Sequence, residues 1–224
     1  MRAVVVVKNG VEILNVEIPT PKNNEVLIKV FSCGLNRADL MVADGGAHGS
    51  SGGSGTIVGM EFSGEVVKIG NEVSGLKIGD RVMCSGSSAW AEYAITDWGR
   101  VIKIPDNNMD FDTACTLPIA LGTMHNAIIT TGQLEKGQSI LIQGASSGVG
   151  LMGLQIAKYM EAKIVIGTST KIEKHTKLKE IGADFVVNSK DLNWVEQVLD
   201  ITNGEGVDLI IDQLSGYTVN QNMS

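Results

Sequence analysis

The run SILIQGASSGVGLMGLQIAKYM, residues 139–160, constrains this chain more than any other stretch. A short apolar strand ends in a glycine-rich turn, and a helical period begins at about Val149. A strand that feeds a helix in this way is half of a right-handed crossover, so a parallel strand has to follow. KIVIG (163–167) is that strand. Helical spacing through KHTKLKEIG (174–182), the strand DFVVN (184–188), a helix near NWVEQVLDIT (193–202) and the strand VDLIID (207–212) come after it. Gly182 stands where a helix C-terminal cap is expected. From about residue 121 the chain reads as α/β with a parallel sheet.

A glycine turn between such a strand and helix is a phosphate site. Glycine lets the backbone approach a pyrophosphate, and the helix N-terminus offers free N–H groups at a positive dipole end. Ala145, Ser146, Ser147, Gly148 and Val149 form the expected cradle, with Gly148 and Gly150 allowing close approach. The end of the next strand selects the cofactor. An acidic residue there would accept hydrogen bonds from ribose hydroxyls. Instead the chain has Gly167, Thr168, Ser169, Thr170 and Lys171, with Lys174 one turn on. Hydroxyls and lysines suit a 2′-phosphate, which makes NADPH the expected cofactor, with Ser169, Lys171 and Lys174 as its contacts.

The first 120 residues have another texture. AVVVV, EVLIKVFSCG, GEVVKIG, DRVMC, EYAIT and VIKIP are short β-rich runs broken by turn residues, as in a compact, mostly antiparallel domain. The expected domains are therefore 1–120 and 121–224. Between them in character is the glycine- and serine-rich stretch DGGAHGSSGGSG (44–55), expected as a mobile loop, either native or a linker. A net charge of −7 argues against nucleic acid as a partner, and no apolar run reaches membrane-spanning length. Three scattered cysteines, Cys33, Cys84 and Cys115, suggest a reducing compartment, so the expected location is cytoplasmic.

Several motifs in order carry a family resemblance: GLNRADLM (34–41), VGMEFSGEVVKIG (58–70), LKIGDRV (76–82), AWAEYAIT (89–96) and GASSGVG (144–150). Together they resemble the medium-chain dehydrogenase/reductase superfamily, in which a GroES-like mostly-β catalytic domain precedes a Rossmann domain. The glycine turn also resembles that of short-chain dehydrogenases, and Tyr159 and Lys163 have their Tyr-x-x-x-Lys spacing. That pair, however, falls at the far end of the helix whose start holds the phosphates, and some 140 residues precede the motif.

Zinc members of the superfamily use cysteine and histidine ligands. At the matching positions stand Asn36, Met60 in Gly59-Met60-Glu61, and the aliphatic Ile119, Ala120 and Leu121, so no metal is expected. The remaining resemblance, strongest in GLNRADLM, is to the zinc-independent quinone oxidoreductases, which are similar to zeta-crystallin. It implies hydride transfer from NADPH to a quinone or to the β-carbon of an enone. Asn36 and Asp39 are implied as catalytic residues, Met41 and Met60 as substrate-pocket lining in an apolar cleft, and Thr123 as a contact of the nicotinamide ribose. The resemblance also implies a homodimeric parent and a chain cut short after its fourth parallel strand. Two alternatives stay open: a 2-enoyl thioester reductase, and a non-catalytic NADPH-binding or structural protein or inactive fragment.

Overall fold

The computed structural model describes residues 1–49, 51–105, 108–214, 216 and 218–223, and it divides into two compact units, Met1–Ile119 and Ala120–Ser224.

In the first unit β1 (Arg2–Val7) and β2 (Gly10–Asn15) form an antiparallel hairpin. Next come β3 (Glu25–Cys33), helix α1 (Arg37–Ala43), a small hairpin of β4 (Ala47–His48) and β5 (Ser51–Gly52), then β6 (Glu61–Ile69), β7 (Arg81–Ser85), β8 (Tyr93–Asp97), β9 (Val101–Lys103) and helix α2 (Phe111–Ala114). Five of these strands make one antiparallel sheet in the order β8-β3-β6-β7-β9. Alternate residues of its strands point inward, so Val26, Ile28, Phe62, Val66, Val82 and Cys84 share one buried core. Register shifts between Leu27 and Ile28 and between Val30 and Ser32 interrupt the β3–β6 ladder, and such irregularities bend a sheet.

The expected mobile loop at 44–55 is instead tied down on both sides, although Ser50 lies outside the described residues. Gly46 N–H donates to Met41 O at 2.9 Å, and Gly55 N–H donates to Val6 O at 2.8 Å. A glycine-rich stretch can be ordered when backbone hydrogen bonds replace the side-chain packing it lacks. The β2 strand, which the sequence reading passed over, carries little burial of its own: Ile13 is 72% exposed.

Helix α3 (Pro118–Met124) leads into a π-helical stretch, His125–Thr131. The second unit then runs β10 (Ser139–Ile142), α4 (Gly148–Tyr159), β11 (Ile164–Thr168), a 3₁₀ turn (Ile172–Lys174), α5 (His175–Ile181), β12 (Phe185–Val187), α6 (Trp194–Ile201), β13 (Leu209–Ile211) and α7 (Thr218–Asn222). Its four strands are parallel, in the order β12-β11-β10-β13. Ile140 and Ile142 face a core with Leu154 and Leu178, whereas Leu141 faces Ile166, Val187 and Trp194 on the other side. Burial of both faces is why these strands read as unbroken apolar runs. The α/β expectation, a mostly-β unit followed by a parallel sheet, holds. Among the described residues no helix is long and apolar enough to cross a membrane.

Candidate active site

In the first unit the start of α1 builds a polar cluster. Asn36 precedes the helix and Asp39 is its third residue, so Asp39 Oδ2 accepts the Asn36 backbone N–H at 2.7 Å. Glu61, the first residue of β6, accepts from Asn36 Nδ2 at 2.8 Å through Oε1 and from the Ile119 N–H at 2.9 Å through Oε2. Gly34 is required beside it, since a Cβ there would lie 2.5 Å from Glu61 Oε1. Asp39 is 1% exposed and Glu61 4%. Burial pushes both carboxyls above their ordinary range, against the lowering effect of their hydrogen bonds, and Asp39 raises Glu61 further. Among the described residues Asp39 Oδ1 is the one buried side-chain oxygen or nitrogen without a hydrogen-bond partner.

Asp39 opens onto a cavity of about 420 Å³ within this unit, whose walls include His48, Met60, Ser87, Thr96 and Arg100. Loop and strand-end residues give this cavity a largely polar wall. Met60 takes part, but Met41 does not. In α1 the inward face is Asp39 and Val42, three residues apart, which leaves Met41 on the outer face at 53% exposure.

The second unit holds the glycine turn. Strands β11 and β12 lie on one side of β10 and β13 on the other, so the carboxyl ends of β10 and β13 flank a topological switch point, the place where open α/β sheets bind ligands. The turn is stitched to its neighbours. Ala145 N–H donates to Thr168 O at 2.9 Å, Gly144 N–H to Thr168 Oγ1 at 3.0 Å, and Ser147 N–H to Gly144 O at 3.0 Å. Ser147 also caps α4, accepting from Gly150 N–H at 3.0 Å. The N–H groups of Gly148 and Val149, at the first turn of α4, have no intrahelical partner and point out of the helix start. Gly150 is spoken for by packing: a Cβ there would sit 2.6 Å from Gly144 O and 2.7 Å from Ala145 Cα, whereas a Cβ at Gly148 meets nothing within 4 Å.

At the end of β11, buried Ser169 donates through Oγ to Ser146 Oγ at 3.3 Å and accepts the Lys171 N–H at 3.2 Å. Lys171 and Lys174 are exposed on the 3₁₀ turn that follows, and Thr123 is exposed on α3. Tyr159, the last residue of α4, is 84% exposed.

Two family comparisons cover both units. Residues 22–106 match the alcohol dehydrogenase GroES-like domain, and residues 148–224 match the zinc-binding dehydrogenase family. The chain is 32% identical to the quinone oxidoreductase of Homo sapiens over all of its own length and 69% of that protein's.

The chain belongs to the zinc-independent quinone oxidoreductase-like group of the medium-chain dehydrogenase/reductase superfamily.

Solved structures of similar proteins share the fold closely. The CurK enoyl reductase superposes with a TM-score of 0.90 at 26% identity, over 99% of this chain and 70% of that one. A mycobacterial protein, Rv1454c, complexed with NADPH, gives 0.87 at 26%, over 100% and 70%. The same sequence pattern recurs inside much longer polyketide synthases: the chain is 31% identical to the highly reducing polyketide synthase ALT1 of Alternaria alternata, of which it spans 8%.

The zinc in the family's description does not fit the donors of this quinone oxidoreductase-like chain. Asn36 and Met60 offer no thiolate or imidazole, and both oxygens of Glu61 are engaged. Burial raises the Cys84 thiol and pushes Cys115 up to about 11, the reverse of a ligand thiol. Among the described residues no group of three or more histidine, cysteine, aspartate or glutamate side chains could hold a metal ion. A nicotinamide dinucleotide does fit, at the open space over Gly148 and the uncapped N–H groups of α4.

Neither Glu61 nor Gln143 stands out in the sequence as a hydrogen-bonding residue, and Gln143 Oε1 accepts from Thr168 Oγ1 at 2.8 Å behind the glycine turn. The signal for Glu61 is its neighbour Met60: a carboxylate beside a side chain that cannot ligate zinc needs another partner.

Proposed function

We propose that this chain carries an NADPH-dependent, metal-free reductase activity toward quinones or α,β-unsaturated carbonyls. One observation carries the reading. The buried cluster joins Asn36, an oriented amide at one of the positions where zinc relatives carry a ligand, to the carboxyls of Asp39 and Glu61, so the chemistry left to it is orientation and proton handling. A bound dihydronicotinamide supplies the hydride. Ser146, Gly148 and Val149 hold the pyrophosphate, while Ala145, Ser147 and Gly150 set the turn. Ser169, Lys171 and Lys174 hold the 2′-phosphate, and Thr123 the nicotinamide ribose. Asn36, fixed by Glu61, orients the reacting groups, Asp39 handles a proton, and Met60 gives the cavity an apolar wall.

The likeness to the CurK enoyl reductase favours a second reading, a 2-enoyl thioester reductase. Both readings ask the same of Asn36 and Asp39 and differ in what the cavity admits. Homodimerisation belongs to the same proposal, and light scattering reads it.

The test is titration with NADPH and NADH followed by cofactor fluorescence, then turnover with a quinone, an enone and an enoyl thioester. NADPH-selective binding with quinone or enone turnover supports the leading reading. Preference for the thioester supports the second. Binding without turnover of any of them leaves a cofactor-binding protein.

A further inference from the structure

Asp39 has one oxygen to spare, and the cavity it faces has a titratable group on its outer wall. Asp39 Oδ2 is held by the Asn36 N–H, but Oδ1 is buried with no hydrogen-bond partner. The other carboxyls around it are committed. Glu61 accepts from Asn36 and Ile119, Glu25 from the Lys22 N–H at 2.8 Å, and Asp97 from Asn24 Nδ2 at 2.6 Å and the Gly99 N–H at 2.8 Å. His48 lines the same cavity as Asp39 and is exposed to solvent.

His48 is held there by construction. Gly46 N–H donates to Met41 O at 2.9 Å, which clips the β4–β5 hairpin to the end of α1, the helix that carries Asp39. A side chain on Gly46 would lie 2.9 Å from that same carbonyl, and one on Gly52 2.7 Å from Ala47 Cα, so the hairpin is closed by residues that leave no room for others. Histidine is the side chain whose ordinary proton affinity matches neutral water. Its charge acts on Asp39 to lower a carboxyl that burial raises.

We propose that Asp39 and His48 form a proton-transfer pair, Asp39 as the inner acid and His48 as its exchange partner at the solvent; as a catalytic device this rests on the reductase reading above. The Asp39 O–H bond breaks as a C–H bond forms at the α-carbon of an enone, or an O–H bond on a quinone oxygen, while the hydride comes from a dihydronicotinamide. The resulting carboxylate regains its proton from the His48 imidazolium, across the cavity or through water within it, and neutral His48 takes a proton from bulk solvent. Cys33 and Glu61 on the inner side and Arg100 on the cavity wall are the other titratable or charged groups facing this path, beside Glu25 and Asp97.

The test follows the carboxyl carbon of Asp39 by NMR through a pH titration of the intact chain, in wild type, His48→Asn and His48→Gln. A second inflection at the His48 midpoint, lost in both variants together with an upward move of the Asp39 midpoint, is expected. A single inflection unchanged by the substitutions overturns the pair. In turnover with a quinone or enone, His48→Asn should lower kcat by about 10- to 100-fold with KM little changed, and added imidazole should restore part of the loss. An unchanged kcat overturns His48 as the exchange partner. Absence of turnover in wild type and variants alike counts against the reductase reading, and the titration then decides the pair.

Discussion

Asn36 donates its side-chain N–H to Glu61 at 2.8 Å, and Glu61 passes the constraint on to the Ile119 backbone. One buried carboxylate thus fixes the amide before α1 and the chain entering α3. Replacing Glu61 with alanine strands two buried donors, each at a cost of about 1–3 kcal/mol. Glu61→Ala should lower the urea midpoint accordingly, while Glu61→Gln, which keeps an acceptor for one of the two donors, loses less. Equal losses in the two variants would mean that side-chain volume, not the hydrogen bonds, holds this region.

Burial raises Asp39 and Glu61 above their ordinary 3.8 and 4.5, so the folded protein binds these protons more tightly than the unfolded chain does. Their contribution to stability is fully present below the ordinary values and is lost as pH rises through the folded-state values. Asp39→Asn removes one of these ionisations while keeping an acceptor for the Asn36 N–H. It should be more stable than wild type at neutral pH, and the difference should shrink on acidification toward about pH 4. Urea unfolding of both proteins across that range checks the sign; a difference that grows on acidification contradicts it.

The two glycines of the α4 turn should separate fold from ligand. Gly150→Ala puts a methyl 2.6 Å from Gly144 O, against backbone that cannot give way, and should lower stability by about 1–3 kcal/mol. Gly148→Ala meets open space and should leave the fold as stable or up to about 1 kcal/mol more so. The same methyl stands where a pyrophosphate would approach the helix start, so Gly148→Ala should weaken NADPH binding. Calorimetry of both variants with and without NADPH reads the two effects apart.

Lys174 tests the choice of cofactor. A charge-assisted contact to a 2′-phosphate is worth about 1.5–3 kcal/mol, so Lys174→Ala should weaken NADPH about 10- to 150-fold and leave NADH nearly unchanged. Equal weakening of both cofactors would remove Lys174 from the 2′-phosphate site.

The features legible in the order of residues alone are local and periodic. The apolar runs of β10, β11, β12 and β13, the glycine turn and the helix starting at Gly148 are readable because neighbours in sequence carry their signal, and a parallel crossover has one hand. Strands β1, β3, β6, β7, β8 and β9 of the first unit were legible for the same reason, whereas β2, β4 and β5 were not. Tertiary structure decided the rest. Glu61 meets Asn36 across 25 positions and Ile119 across 58, distances over which no pattern of residue types records a hydrogen bond. The stretch 44–55 reads as a loop on composition, since glycine and serine bring no apolar burial, yet backbone bonds to Met41 and Val6 pin it beside α1. The two methionines divide likewise: Met60 joins the cavity wall and Met41 turns outward, because a helix of seven residues has only one inward face and Asp39 and Val42 occupy it. Residue type proposed the chemistry of this chain, and burial decided which atoms were left free to carry it out.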